Sequence, residues 1–179
     1  TEVTGNDKVL AMLEEGEAQV AGGTAWMWSR GEFAGKVDVL FVDEAGQMSL
    51  ANVLAVSQCA DSVVLLGDPQ QLEQPQQGSH PEGTEVSALQ HVLDGAETMP
   101  ADRGLFLEKS WRLHPSICEY TSKLFYEGKL APREELQRQV LAGPTKYAGA
   151  GLWVEPVEHE GNQSSSAEEV ERVAGVVAD

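Results

Sequence analysis

Two continuous apolar runs, VDVLFV at 37–42 and SVVLLG at 62–67, interrupt a chain whose other hydrophobic positions mostly recur at helical spacing. Unbroken β-rich runs of this length belong to strands covered on both faces, as in a parallel sheet. Between them Ser49 is placed to cap a helix reaching Ser57, with Leu50, Val53, Leu54 and Ser57 along one face. The pattern predicts a strand–helix–strand crossover with parallel strands. Upstream, NDKVLAMLEEG predicts a short helix with Val9, Leu10 and Leu13 on one face and a stop at Gly16, and a brief strand follows over Ala18 to Ala21. Downstream, a polar stretch over 74–83, with His80 as a turn residue, reads as a surface loop. Thr84 then caps a helix whose Val86, Leu89 and Leu93 face inward and whose end is marked by Gly95. GLFLEKS predicts another strand. Pro115 opens a helix carrying Ile117, Tyr120, Thr121, Leu124 and Phe125 as one stripe. A charged connection over 133–146 leads to a last strand, GLWVEPV. Ser165-Ser166 then start a helix with Glu168 or Glu169 completing the cap and Val170, Val173, Ala174 and Val177 inward.

Each strand of the central crossover runs into acid: Asp43-Glu44 after the first, Asp68 after the second. Parallel strands put these carboxylates at one edge, the carboxyl edge where open α/β sheets bind ligands. Taken alone, such acids serve equally well to cap the next helix and meet solvent. In the same way GDPQQL alone is a polar turn with a well-placed proline. Two cysteines, Cys59 and Cys118, lie far apart without metal-ligand spacing and sit in apolar helical patterns, as core thiols do.

DEAGQM, GDPQQLEQP and SWRLHPSICEYTSKLFYEGKL occur in that order, and together they resemble motifs II, III and IV of superfamily 1 helicases. The branch is the senataxin-like and RecD-like one of the AAA ATPases, and the likeness is closest to the helicase portion of bacterial proteins that carry a RecB-like nuclease domain. It extends from about Gly22 to the C-terminus. The resemblance implies an α/β fold, the parallel sheet and flanking helices of a RecA-like P-loop NTPase, here incomplete. Residues 1–109 would be the later half of a first RecA-like domain and 110–179 the start of a second.

The resemblance also implies the roles. Asp43, in the Walker B position, would hold Mg²⁺, and Glu44 would act as general base. Gln71 would sense the terminal phosphate of ATP, donating to a phosphate oxygen while accepting from the attacking water. Asp68 and Gln47 would line the same site, Gln47 coupling motif II to motif III. Arg112 would reach the γ-phosphate across an interdomain cleft, where a fixed guanidinium stabilises transition-state charge; a structural salt bridge is its other reading. Thr24, Trp26 and Arg30 would touch single-stranded nucleic acid, with a base stacked on the indole. Tryptophans are also common core residues, which is the alternative for Trp26 and Trp28. Glu127-Gly128-Lys129 imitates half of a nuclease motif but follows a helix, without the upstream metal-binding acid such a site needs.

With 29 acids against 12 bases, the formal charge of −17 disfavours a self-sufficient nucleic-acid surface, because phosphate neutralisation supplies most non-specific affinity. No GxxxxGK[ST] loop occurs: GGTAWMWSRG lacks its Lys-Ser/Thr ending and GPTKYAG has the wrong order. The chain begins at Thr1, and the expectation is a fragment with little ATPase activity of its own, cut from an ATP-hydrolysing helicase or translocase. Its partners would be single-stranded DNA in preference to RNA, the remaining helicase regions and a RecB-like nuclease domain. No signal peptide or membrane-length apolar run is present, which fits the cytoplasm. Two further classes stay open: a non-hydrolysing scaffold with an acidic protein-binding surface, and a nucleotide-dependent switch.

Overall fold

The computed structural model describes residues 5–71 and 86–178. The cap expected at Thr84 and the loop at 74–83 with His80 lie outside the described residues. The chain divides into two units, one ending at Leu105 and the other starting at Phe106.

In the first unit, β1 (Val37–Val42) and β2 (Ala60–Leu65) pair in parallel, Val37 opposite Ala60 and Val42 opposite Leu65. α3 (Leu50–Ser57) makes the crossover, and the Ser49 hydroxyl caps it by accepting from the Asn52 N–H at 3.3 Å. α1 (Asn6–Glu14) rests Val9, Leu10 and Leu13 on the core, as their spacing predicts. The strand expected over 18–21 does not form. Val20 is 90% exposed with no neighbouring strand, and the Ala18 N–H instead donates back to the Met12 carbonyl at 3.0 Å. α2 (Ala25–Trp28) follows and separates the two tryptophans. Trp28 is buried and meets Phe33 edge-on with centroids 5.4 Å apart, whereas Trp26 is 86% exposed.

The core gathers Phe33, Leu40, Val42, Val53, Val56 and Cys59 on one side of the sheet. Phe33 has no exposed surface, and burial of such a ring stabilises by about 2–3 kcal/mol. The expectation of strands covered on both faces fails here. Alternation sends Val39 and Phe41 to the opposite face, and they stay exposed. α3 is likewise rotated from the expected stripe, with Val53 and Val56 inward and Leu54 out. α4 (Ala88–Leu93) begins later than expected. Ser87 caps it through a reciprocal pair with Gln90 at 3.1 and 3.2 Å, while the Val86 carbonyl accepts from the Leu50 N–H.

The second unit repeats the plan in miniature. β3 (Lys109–Ser110) pairs in parallel with β4 (Ala131–Pro132), and α5 (Pro115–Phe125) lies between them in sequence. GLFLEKS thus shrinks to its last two residues, and the expected division after Lys109 falls inside β3. Pro115 opens α5 as predicted, but the inward residues are Cys118 and Ser122; Tyr120, Leu124 and Phe125 remain open to solvent. Glu127 and Lys129 pair with each other at 2.6 Å on the turn after α5. GLWVEPV forms no strand, and the nearest pairing is the isolated Leu141–Gly149 bridge. α6 (Ala167–Ala178) is capped by the Ser166 hydroxyl, which accepts from the Glu169 N–H at 3.2 Å. Its Val170, Val173 and Val177, expected inward, are exposed. Polar bonds hold this helix: the Glu155 carboxylate accepts from Lys146 and the Tyr147 hydroxyl, each at 2.7 Å, and from Arg172. These donors pull Glu155 down to about 2.

The fold is α/β, with small parallel sheets flanked by helices, as in a partial RecA-like P-loop NTPase domain. Among the described residues no helix is long and apolar enough to cross a membrane.

Candidate functional site

The parallel register of β1 and β2 fixes the site. Because Val42 lies opposite Leu65, the turns that leave the two strands run side by side. The Leu66 N–H donates to the Val42 carbonyl and the Ala45 N–H to the Leu66 carbonyl, both at 2.8 Å. Two glycines permit the approach. A Cβ on Gly46 would stand 2.1 Å from the Asp68 carbonyl oxygen, and one on Gly67, at φ +149°, would stand 2.9 Å from the Ala45 nitrogen. Sequence reasoning passed over both, although DEAGQM and LLGDP display them.

Asp43, Glu44 and Asp68 therefore come together at the carboxyl edge, as the crossover predicts. The Asp43 carboxylate accepts from the Glu44 N–H at 3.0 Å, and the Asp68 carboxylate accepts from the Gln70 N–H at 2.9 Å, which orients both acids. Glu44 has φ 54°. Asp94 and Glu127, the other described non-glycine residues with positive φ, sit where helices end, a usual place for left-handed backbone. Glu44 sits at a strand end, and strain of this kind concentrates at functional sites.

Gln47 and Gln71 each close a turn begun by one of these acids. The Gln47 N–H donates to the Glu44 carbonyl at 2.8 Å, and the Gln71 N–H to the Asp68 carbonyl at 3.3 Å. Their side chains then meet, Gln47 Nε2 donating to Gln71 Oε1 at 2.9 Å. Five of the expected site residues thus form one cluster.

Among the described residues no group of three or more metal-binding side chains forms. Mg²⁺ takes most of its ligands from water and phosphate and needs only one or two carboxylates. An oriented Asp43 at this edge fits that requirement.

Arg112 belongs to the second unit, where the Ser110 hydroxyl accepts from the Arg112 and Leu113 N–H groups and shapes the turn into α5. In so acidic a chain its exposed guanidinium still makes no ion pair among the described residues. Trp111 beside it is exposed, and the Arg133 guanidinium stacks 3.6 Å from its ring centroid.

Thr24, Trp26 and Arg30 are not part of the acid cluster. Thr24 stands at the N-cap of α2 without a side-chain cap bond, Trp26 projects into solvent, and Arg30 pairs with Glu32. The Ser29 carbonyl accepts from Gln58 at 2.7 Å, just ahead of β2, so Arg30 lies toward the amino edge of the sheet. The thiols of Cys59 and Cys118 are pushed up by burial and take no part in the site.

No solved structure matches the chain. It is 33% identical over 98 residues to the mouse 5'-3' DNA helicase ZGRF1, an alignment covering 53% of this chain and 5% of that protein. It is 28% identical over 130 residues to the Arabidopsis thaliana probable helicase MAGATAMA 3, covering 71% of this chain and 15% of the relative. The chain thus spans only a small part of the curated relatives it matches. Residues 14–142, taking in both units, match the viral superfamily 1 RNA helicase core domain, and the chain belongs to this superfamily 1 helicase family.

Proposed function

We propose that this chain is the middle of an ATP-driven superfamily 1 motor that moves along single-stranded nucleic acid. The observation that carries the reading is the pairing of two strand-end turns, which sets Asp43, Glu44 and Asp68 beside a Gln47–Gln71 bridge of 2.9 Å. Glu44 takes a proton from the attacking water, its backbone held at the edge by the turn it begins. Gln71 contacts the terminal phosphate, and Asp68 fixes the turn that presents it. Asp43 would hold Mg²⁺, which supplies charge neutralisation on the phosphates. Arg112, which makes no ion pair among the described residues, stabilises charge on the transferring phosphoryl group. In this reading residues 1–109 and 110–179 belong to two successive RecA-like domains.

Thr24, Trp26 and Arg30 form the nucleic-acid contact, with the exposed Trp26 indole as a stacking surface. DNA is favoured over RNA because the mouse relative is a DNA helicase; the matched family is named for RNA helicases. The phosphate-cradling loop, the remaining helicase regions and any RecB-like nuclease domain would lie elsewhere in the full-length protein, which would work in the cytoplasm. The segment alone would hydrolyse little ATP.

The test is ATP hydrolysis by the full-length protein with and without single-stranded DNA. Stimulation by the strand, with a loss of 100-fold or more in Glu44→Gln on the order of a catalytic-base deletion, is expected. Hydrolysis unchanged in Glu44→Gln would overturn the assignment. The acidity of the chain, at −17, favours a second reading as a protein-binding scaffold, which predicts no hydrolysis at all.

A further inference from the structure

We infer that Gln47 is a positioning residue that sets which end of the Gln71 amide faces the ligand; the inference rests on the reading of this edge as a nucleotide site. A carboxamide has one oxygen that accepts and one nitrogen that donates two protons. Here Gln47 Nε2 donates to Gln71 Oε1 at 2.9 Å, so the Gln71 oxygen is engaged. Its Nε2 makes no hydrogen bond among the described residues.

The arrangement is stiff on both sides. Each glutamine is the fourth residue of a turn begun by a strand-end acid, and the turns are in contact through Gly46 and the Asp68 carbonyl. The Gln71 Nε2 donors are consequently turned away from Gln47. Such donors recognise an anionic oxygen, such as the terminal phosphoryl oxygen of a nucleoside triphosphate.

The test compares binding of fluorescent ADP and of a fluorescent non-hydrolysable ATP analogue to the full-length protein. Gln47→Met keeps length and removes the donor. Gln47→Glu offers only an acceptor, which would turn the Gln71 amide round and engage its nitrogen. Gln71→Ala marks complete loss of the contact. Both Gln47 variants should lower the preference for the triphosphate analogue by about fivefold, the scale of one neutral hydrogen bond, with ADP affinity unchanged. Gln47→Met added to Gln71→Ala should cost nothing further. If Gln71→Ala loses the preference but Gln47→Met keeps it, the positioning role is wrong. If Gln47→Glu keeps it while Gln47→Met does not, the amide faces the opposite way and the inference is overturned. If the unaltered protein shows no preference and Gln71→Ala is silent, the nucleotide reading itself fails.

Discussion

A glutamate held at φ 54° forgoes about 1–2 kcal/mol that a glycine would not. Glu44→Gly should therefore raise the stability of the first unit by about 1 kcal/mol, less the unfolded-state entropy glycine adds, while abolishing hydrolysis by the full-length protein. Chemical denaturation checks the first outcome; a destabilised variant would mean that the carboxylate holds the turn. The opposite experiment is Gly46→Ala. Its new methyl would meet the Asp68 carbonyl at 2.1 Å, so the two turns must separate at a cost of about 3 kcal/mol, the upper end of overpacking. Denaturation again reads this, and a loss below 1 kcal/mol would show that the turns yield. Gln47 and Gln71 come only through the helicase resemblance, whereas the acids of this edge are legible in the sequence because parallel strands leave their ends no choice of side. The glycines and the direction of the amide bond are not, since they arise from contact between turns 20 or more residues apart.

Elements are legible where their partners lie within the chain. β1 has the bounds its apolar run predicts, and β2 pairs with it one crossover later. The apolar segments at 18–21, 104–107 and 151–157 carry the same kind of signal but pair with no strand among the described residues, and a strand without a neighbour gains no ladder. The same shortage leaves the stripes of α5 and α6 open. α6 is held instead by polar contacts, Arg172 to Glu155 and Glu169 to His159 among them. Lys146, Tyr147 and Arg172 draw Glu155 from 4.5 to about 2, so its contribution is present above the unfolded value and is lost as pH falls through the folded one. Protection of the amides across 167–178, relative to their intrinsic exchange at each pH, should fall between pH 4.5 and 2, and Glu155→Gln should show the lower protection already at pH 7. Unchanged exchange in that variant would mean that α6 is held by something else.

At the scale of the molecule, two small β–α–β units each carry part of the proposed machinery: acids and glutamines in the first, and in the second an arginine that makes no ion pair among the described residues. The charge of −17 works against a nucleic-acid track made by this chain alone, so the proposed movement along a strand is tested on the full-length protein. The most direct measurement is displacement of streptavidin from the end of a biotinylated single-stranded DNA by that protein. Displacement is expected with ATP, none with its non-hydrolysable analogue, and none in Glu44→Gln. ATP hydrolysis without displacement on DNA or RNA would contradict the motor and leave a nucleotide switch.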